Sequence, residues 1–138
     1  MSIQQMLLGA AGASIVEYTA SNATNVSLSS VFGSDWAADV EKCYIIPSGV
    51  TLGATSVSSN ALTAESGMGG TLTIKNSGTI SGAGGAGGSG GNNSSIYSNV
   101  AGSSGQAGGD AVEILTNGVT IVNDGTIRAG GGGGGGGG

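Results

Sequence analysis

Apolar and polar residues alternate in two segments of this chain that closely resemble each other. Residues 72–80 read Leu-Thr-Ile-Lys-Asn-Ser-Gly-Thr-Ile, and residues 119–127 read Val-Thr-Ile-Val-Asn-Asp-Gly-Thr-Ile. In both segments the aliphatic residues lie at even spacings and therefore share one face of an extended chain. The β-branched threonines suit the opposite, half-exposed face. The pattern predicts short β-strands that recur after 47 residues.

Glycine-containing turns separate these predicted strands. Residues 76–78, 116–118 and 123–125 (Asn-Ser-Gly, Thr-Asn-Gly and Asn-Asp-Gly) are turn signals in which glycine supplies a positive φ. Residues 45–52 also align with residues 114–121, because both place two apolar residues before a turn that ends in glycine. Short strands joined by tight turns predict an all-β fold class, either a β-solenoid or a β-meander with glycine-rich loops.

Glycine accounts for 31 of the 138 residues, nearly a quarter of the chain where about 7% is usual. It is concentrated in a Gly/Ser/Asn tract at 83–110 and in a nine-glycine run at 130–138. Ordering glycine costs more backbone entropy than ordering any other residue. Such tracts therefore either stay flexible as linkers or pack as extended, hydrogen-bonded chains, as in polyglycine II. The sequence leaves both alternatives open.

The chain divides by composition into a mixed N-terminal region, 1–42, and a glycine-rich β-repeat domain, 43–138. Aromatic residues make up only 4% of the sequence, and the inward-pointing aliphatic residues are few. Two or three strands with so little apolar surface are marginal on their own. Association of several copies would supply the missing buried area, so we expect a homotrimer.

The residue types that usually carry chemistry are scarce. Histidine is absent, which removes the commonest general base and the commonest metal ligand. Residues 82–87 match G-x-G-x-x-G, but the residues that follow cannot begin the helix that a dinucleotide site needs. Asp39 and Glu41, beside Lys42, are expected to form a solvated patch rather than a catalytic pair. We therefore expect no enzyme activity, no catalytic residue, no cofactor and no metal ion.

Charge and hydropathy argue against two further classes of partner. The three basic residues are scattered, whereas nucleic-acid binding needs a cluster of cations. No stretch approaches the ~20 apolar residues of a membrane span. The N-terminus has no basic residue before its short apolar part, so we expect no cleaved signal peptide. The single cysteine, Cys43, lies in an apolar run and is expected to be a buried thiol.

Four segments carry a resemblance to a known family: residues 1–9 (MSIQQMLLG), 46–51 (IPSGVT), 71–80 and 119–138. The last two contain a block close to L-T-I-x-N-x-G-T-I, and each block precedes a glycine-rich stretch. These segments resemble glycine-rich tail fibre and tail-tip proteins of tailed bacteriophages. The resemblance implies a homotrimeric structural protein of the virion tail that is assembled in the host cytoplasm and takes part in host attachment. It also implies other tail proteins as partners, held by the N-terminal region 1–42, and a host surface glycan or outer-membrane protein as receptor. The resemblance supplies no catalytic residue.

Three aromatic residues are candidates for contacts with other molecules. Phe32 and Trp36 lie four positions apart, so they share one side of a helical turn, either in the core or as an interface anchor. Tyr97 lies inside the Gly/Ser/Asn tract, which makes it the candidate for receptor contact.

Two other functions stay open at this point. The first is a bacterial surface adhesin or autotransporter-like β-solenoid, which predicts an export signal. The second is a glycine-rich structural or ice-binding protein, which predicts a three-residue glycine period over most of the chain. The strand blocks interrupt such a period here.

Overall fold

The computed structural model describes residues 4–8, 14–95 and 98–137, and nearly all of the regular secondary structure in these residues is β-strand. The predicted all-β class is confirmed. The elements in chain order are β1 (Gln4–Leu8), β2 (Ser14–Thr19), β3 (Ala23–Thr24), β4 (Val26–Ser27), α1 (Leu28–Phe32), β5 (Glu41–Ile46), β6 (Thr51–Gly53), β7 (Leu62–Ala64), β8 (Thr71–Asn76), β9 (Thr79–Ser81), β10 (Asn92–Ser95), β11 (Ser98–Val100), β12 (Val112–Ile114), β13 (Val119–Asn123) and β14 (Thr126–Arg128). A short 3₁₀ turn, Gly33–Asp35, follows α1.

The chain passes repeatedly through three sheets, and on each complete pass it contributes one strand to each sheet. Sheet A has the order β1-β2-β5-β8-β13, sheet B the order β14-β9-β6-β3, and sheet C the order β12-β7-β4. We call each pass a rung: β2-β3-β4, β5-β6-β7, β8-β9-β12, and finally β13-β14. Apart from the antiparallel β1–β2 pair, all pairs in these sheets are parallel. A β-meander pairs neighbouring strands antiparallel, so that alternative is excluded for the three sheets.

The 47-residue repeat stacks directly on itself. Strand β13 pairs with β8 so that Val119 lies against Leu72, and β14 pairs with β9 so that Ile127 lies against Ile80. The second alignment has a different outcome. Residues 45–52 run from sheet A to sheet B, whereas residues 114–121 run from sheet C to sheet A. These two segments therefore share a turn pattern without being structural equivalents.

The core is built from columns of side chains to which successive rungs contribute. In sheet A one such column contains Tyr18, Tyr44 and Ile74, which are direct register partners. Alternation of inward and outward residues along each strand produces these columns, as the sequence pattern predicts. The buried hydrophobic residues are Val16, Ala20, Val26, Leu28, Phe32, Trp36, Cys43, Tyr44, Ile46, Leu52, Ala61, Leu62, Ala64, Leu72, Ile74, Ile80 and Ala111. One chain thus encloses a core with its own side chains.

One column contains a charged residue, because Lys42 lies between Val16 and Leu72 and is only 1% exposed. Its Nζ donates hydrogen bonds to the carbonyl oxygens of Ala38 (3.1 Å), Val40 (3.2 Å) and Gly69. Burial lowers the pKa of this lysine below its usual value, and two nearby carboxylates oppose that effect. Lys42 therefore ties together the two chain turns that lead from sheet C back to sheet A.

The predicted turn glycines serve two different purposes. Gly118 has a φ of 79°, so it supplies the left-handed conformation that the sequence predicts. Gly78 and Gly125 do not have a positive φ, and for them that prediction is wrong. A Cβ on Gly78 would lie 2.3 Å from the carbonyl oxygen of Val50, and one on Gly125 would lie 2.2 Å from that of Gly78. These two glycines are needed because stacked turns approach each other closely.

The asparagines of the same turns also stack. Asn76 is 1% exposed, and its Nδ2 donates to Oδ1 of Asn123 (2.9 Å) and to the carbonyl oxygen of Thr126 (3.1 Å). Its Oδ1 accepts a hydrogen bond from the backbone N–H of Gly78 (3.1 Å). The buried side-chain amide of Asn76 therefore finds its hydrogen-bond partners in the fourth rung and in its own turn.

The predicted division at residue 42 falls inside β5 (Glu41–Ile46). Residues 14–42 supply β2, β3 and β4, which pair with β5, β6 and β7 in the same three sheets as the glycine-rich part. Within the described residues, no helix is long and apolar enough to cross a membrane.

Candidate functional site

One corner of the stack carries the longest connection between strands of the three sheets. From sheet B to sheet C, the first rung crosses at Asn25, the second rung uses residues 54–61, and the third uses residues 82–111. We call residues 82–91 the outgoing arm and residues 101–109 the returning arm. The fourth rung leaves at the same corner through residues 129–137, which we call the third arm. This corner is therefore where the chain extends beyond its core.

The three arms are joined by a closed ring of backbone hydrogen bonds in which every third N–H is a donor. The outgoing arm donates from Gly82, Gly85 and Gly88 to the carbonyl oxygens of Arg128, Gly131 and Gly134 (2.7–2.9 Å). The third arm donates from Gly130, Gly133 and Gly136 to Gly109, Gln106 and Ser103 (2.8–2.9 Å). The returning arm donates from Ser103, Gln106 and Gly109 to Ser89, Ala86 and Ala83 (2.8–2.9 Å). A three-residue period is that of an extended threefold helix, so the arms follow the packed alternative rather than the linker alternative.

Close approach of the backbones explains why glycine recurs at every third position. A Cβ on Gly85 would lie 1.9 Å from the carbonyl oxygen of Gln106. A Cβ on Gly105 would lie 1.9 Å from that of Gly133, and one on Gly133 would lie 1.9 Å from that of Ala86. No side chain fits at such distances, so each arm needs glycine where it faces a neighbour.

The arms support a hairpin formed by β10 and β11. These strands pair antiparallel, with Asn92 opposite Val100 and Ser95 opposite Ser98. Tyr97, the candidate for receptor contact, lies outside the described residues. The hairpin connects the far ends of the outgoing and returning arms.

Phe32 and Trp36, the candidates for an interface, are buried within this chain at 2% and 5% exposure. The ring of Phe32 meets that of Tyr18 edge-on, with centroids 4.9 Å apart. The indole Nε1 of Trp36 donates to the carbonyl oxygen of Ser66 (3.3 Å). Both side chains thus occupy the core, which is the other place that the sequence allows for them.

Glu65 holds the start of α1, the helix that carries Phe32. Its carboxylate accepts hydrogen bonds from the hydroxyls of Ser27 and Ser29 and from the backbone N–H of Ser29 (3.1 Å). Burial alone would raise the pKa of Glu65, but these hydrogen bonds outweigh it, so the pKa lies below its usual value. The ionised carboxylate therefore stabilises this turn of the fold.

Groups that could hold a metal ion do not occur together in the described residues: no three of the histidine, cysteine, aspartate and glutamate side chains are clustered there. Asp39 and Glu41 are both exposed, whereas Lys42, which is next to them in the sequence, is buried. Cys43 is buried, and desolvation raises the pKa of its thiol. A cleft of about 220 Å³ on the outer face of sheet A includes Cys43, Glu17 and Lys75.

The family model described as phage tail fibre adhesin Gp38 matches residues 14–138. Searches of curated proteins and of solved structures found no match.

Because the arms approach each other closely, we predict that alanine substitutions at two neighbouring glycines change the free energy of unfolding differently. Gly85→Ala should lower the free energy of unfolding by about 1–3 kcal/mol, because the new methyl group overlaps the Gln106 carbonyl. Gly84→Ala should have little effect or raise stability by up to about 1 kcal/mol, because its Cβ would lie 3.7 Å from its nearest neighbour. Thermal unfolding of both variants measures this, and equal effects would contradict the packed arrangement.

The hydrogen bonds of Glu65 predict a pH-dependent contribution to stability. Because its folded pKa is lowered, the contribution is complete above the ordinary glutamate pKa of about 4.3 and is lost as the pH falls through the folded value. Glu65→Gln should therefore destabilise the protein at pH 7, and the difference from the unsubstituted protein should shrink at pH 3. Urea unfolding at both values measures it, and a difference independent of pH would argue against this role.

Proposed function

We propose that this chain, which belongs to the phage tail fibre adhesin Gp38 family, presents residues 92–100 to the host cell on a support made of three glycine arms. As a member of that family, it is a structural component of a phage tail that takes part in host attachment. The family assignment favours this function over the bacterial surface adhesin and the ice-binding protein.

The observation that carries the proposal is the closed ring of hydrogen bonds between the arms. Residues 92–100 leave the outgoing arm at Gly91 and rejoin the returning arm at residue 101, and both arms are bonded to each other and to the third arm. A segment held at both ends loses less conformational entropy when it binds a partner than a free loop does. The glycine arms thus order a recognition segment without covering it with side chains of their own.

The chemistry of residues 92–100 suits a host surface glycan. The segment contains Asn and Ser side chains, one tyrosine at Tyr97, and no charged residue. Amide and hydroxyl groups hydrogen-bond to sugar hydroxyls, and an aromatic ring packs against the apolar face of a sugar. A host outer-membrane protein is the second candidate, because the apolar side chains at 96 and 100 also fit a protein surface.

We propose that the N-terminal region, 1–42, attaches the chain to other tail proteins. In sheet A, β1 lies at one edge and β13 at the other. The arms extend from the rungs of β8 and β13, so β1 and the arms lie at opposite ends of the stack. Attachment near β1 therefore leaves the arms accessible to the host. Phe32 and Trp36 would support this end from inside the core.

The β-solenoid and the homotrimer also belong to the proposal. One strand in each of three sheets per rung is the arrangement expected of a three-sided solenoid. The scarcity of apolar residues in the sequence favours a homotrimer, yet the buried hydrophobic residues form a core within one chain. Burial alone therefore no longer requires three copies, and the molar mass in solution distinguishes one chain from three. A non-catalytic role and assembly in the host cytoplasm complete the proposal.

The two proposed roles, host recognition by residues 92–100 and tail attachment by the N-terminal region, can be tested separately on assembled phage. Replacing residues 92–100 with a Gly/Ser segment of equal length should reduce adsorption to host cells at least about tenfold, roughly 1.4 kcal/mol of binding. Incorporation of the protein into tails should be unchanged. Deleting residues 1–13, which include β1, should instead reduce incorporation.

A matched control uses the second rung's connection at the same corner. Ser56→Ala with Ser58→Ala changes exposed polar side chains there and should leave adsorption and incorporation unchanged. Full adsorption after replacement of residues 92–100 would contradict the recognition role. Full incorporation after deletion of residues 1–13 would contradict the attachment role.

A further inference from the structure

The three glycine turns that the sequence predicts differ in what the backbone N–H of the glycine contacts. In one turn the N–H of Gly78 donates to Oδ1 of Asn76 (3.1 Å). In a second turn the N–H of Gly125 donates to Oδ1 of Asn123 (3.2 Å). Both asparagines lie two positions before the glycine, which is the spacing at which an asparagine side chain bonds to a backbone N–H. In these two turns the glycine nitrogen is therefore held by the asparagine oxygen.

The third turn has a different arrangement, because Asn117 lies directly before Gly118. Asn117 is exposed to solvent, whereas Asn76 is only 1% exposed. Gly118 has a φ of 79°, and its carbonyl oxygen accepts a hydrogen bond from the N–H of Leu72 (3.0 Å). Among the described residues, no acceptor is found for the N–H of Gly118. This glycine nitrogen is therefore not tied to a side chain as those of the other two turns are.

A nucleophile and an electrophile are thus neighbours in an exposed turn. The nitrogen of Gly118 can close a succinimide ring with the side-chain carbonyl carbon of Asn117. Reaction between two groups of one molecule is strongly favoured over reaction between separate molecules, because the entropy of bringing them together is already spent. Glycine also has no Cβ to hinder the approach of its nitrogen.

We propose that Asn117 is a site of spontaneous chemical modification, with water as the only co-reactant. The nitrogen of Gly118 bonds to Cγ of Asn117 and loses its proton to water. The bond from Cγ to Nδ2 breaks, and Nδ2 takes up a proton and leaves as ammonia. Water then opens the ring at one of its two carbonyl carbons. Opening at Cγ gives aspartate, and opening at the main-chain carbonyl carbon gives isoaspartate, whose main chain runs through Cβ and Cγ.

Isoaspartate lengthens the main chain by one carbon in a turn that is held on both sides. Before the turn, the N–H of Leu115 donates to the carbonyl oxygen of Ala64 (2.8 Å). After it, Gly118 accepts the hydrogen bond from Leu72 described above. An additional carbon between these two anchors displaces the start of β13 from β8. Because β13 leads through β14 into the third arm, the modification weakens the attachment of the fourth rung. The inference does not depend on the role proposed for residues 92–100.

Peptide mapping of the full chain after incubation in ¹⁸O-labelled water at pH 8 and 37 °C tests the proposal. Trypsin, added afterwards in ordinary water, cleaves after the two flanking basic residues and releases residues 76–128 as one peptide. Fragmentation of this peptide locates the label and separates aspartate from isoaspartate. Asn117 should gain label at least about tenfold faster than Asn76 or Asn123, a difference in activation free energy of roughly 1.4 kcal/mol. Equal rates at the three residues, or no label at Asn117, would overturn the proposal.

Two substitutions separate the modification from its effect on the fold. Incubation should lower the Tm of the unsubstituted protein by at least about 2 °C. Asn117→Gln keeps the amide, but its additional methylene group prevents formation of the succinimide ring, so its Tm should not change on incubation. Asn117→Asp, measured before incubation, adds the charge without lengthening the main chain and should keep the original Tm. An equal fall in Tm for incubated Asn117→Gln would contradict the assignment of the effect to this turn.

Discussion

Parallel, in-register stacking of each rung on the one before it is the interaction on which the rest of this structure depends. Stacked strands lie about 4.8 Å apart. Because β13 and β14 lie directly on β8 and β9, the third arm leaves the core directly over the outgoing arm. At that spacing the backbones are close enough to bond N–H to C=O, and a Cβ on Gly133 would reach 1.9 Å from a carbonyl oxygen. Strand register thus determines where glycine is obligatory.

The same constraint explains the uneven distribution of side chains in the arms. The outgoing arm carries Ala83, Ala86 and Ser89 at positions whose counterparts in the third arm are glycines. The third arm stacks on the outgoing arm through those glycines. A methyl group is therefore tolerated at these positions on the outgoing arm and excluded from the third arm. Backbone hydrogen bonds, rather than buried side chains, offset the entropy lost by ordering these residues.

Much of the fold could be predicted from the sequence because the repeat is visible in the residues themselves. The spacing of Leu72, Ile74 and Ile80 predicts strands, and their recurrence predicts repeated strand units, either stacked as in a β-solenoid or paired as in a β-meander. Parallel pairing could not be predicted, since alternation looks the same in parallel and antiparallel sheets. The burial of Lys42 could not be predicted either, because its three carbonyl acceptors come from turns whose positions depend on the tertiary fold.

In the candidate site, too, the local sequence predicts some features, and others depend on the tertiary fold. The tract at 83–110 could be narrowed to two alternatives, and only the stacking of the arms distinguishes them. Phe32 and Trp36 could be placed on one side of a helical turn, but which neighbour covers them depends on Tyr18 and on the turn that contains Ser66. Tyr97 stays a prediction. The proposed recognition segment, residues 92–100, is polar and uncharged, and such a segment leaves fewer sequence signals than catalytic residues do.

Amide hydrogen exchange in the arms tests the central claim most directly. If the ring of hydrogen bonds holds the arms, exchange should be slow at every third residue of each arm, including Gly85, Gly88, Gln106 and Gly133. The intervening amides of Gly84 and Gly87, for which no backbone acceptor is found in the described residues, should exchange much faster. Uniformly fast exchange across residues 82–91 and 129–137 would show that the arms are flexible and would contradict this account.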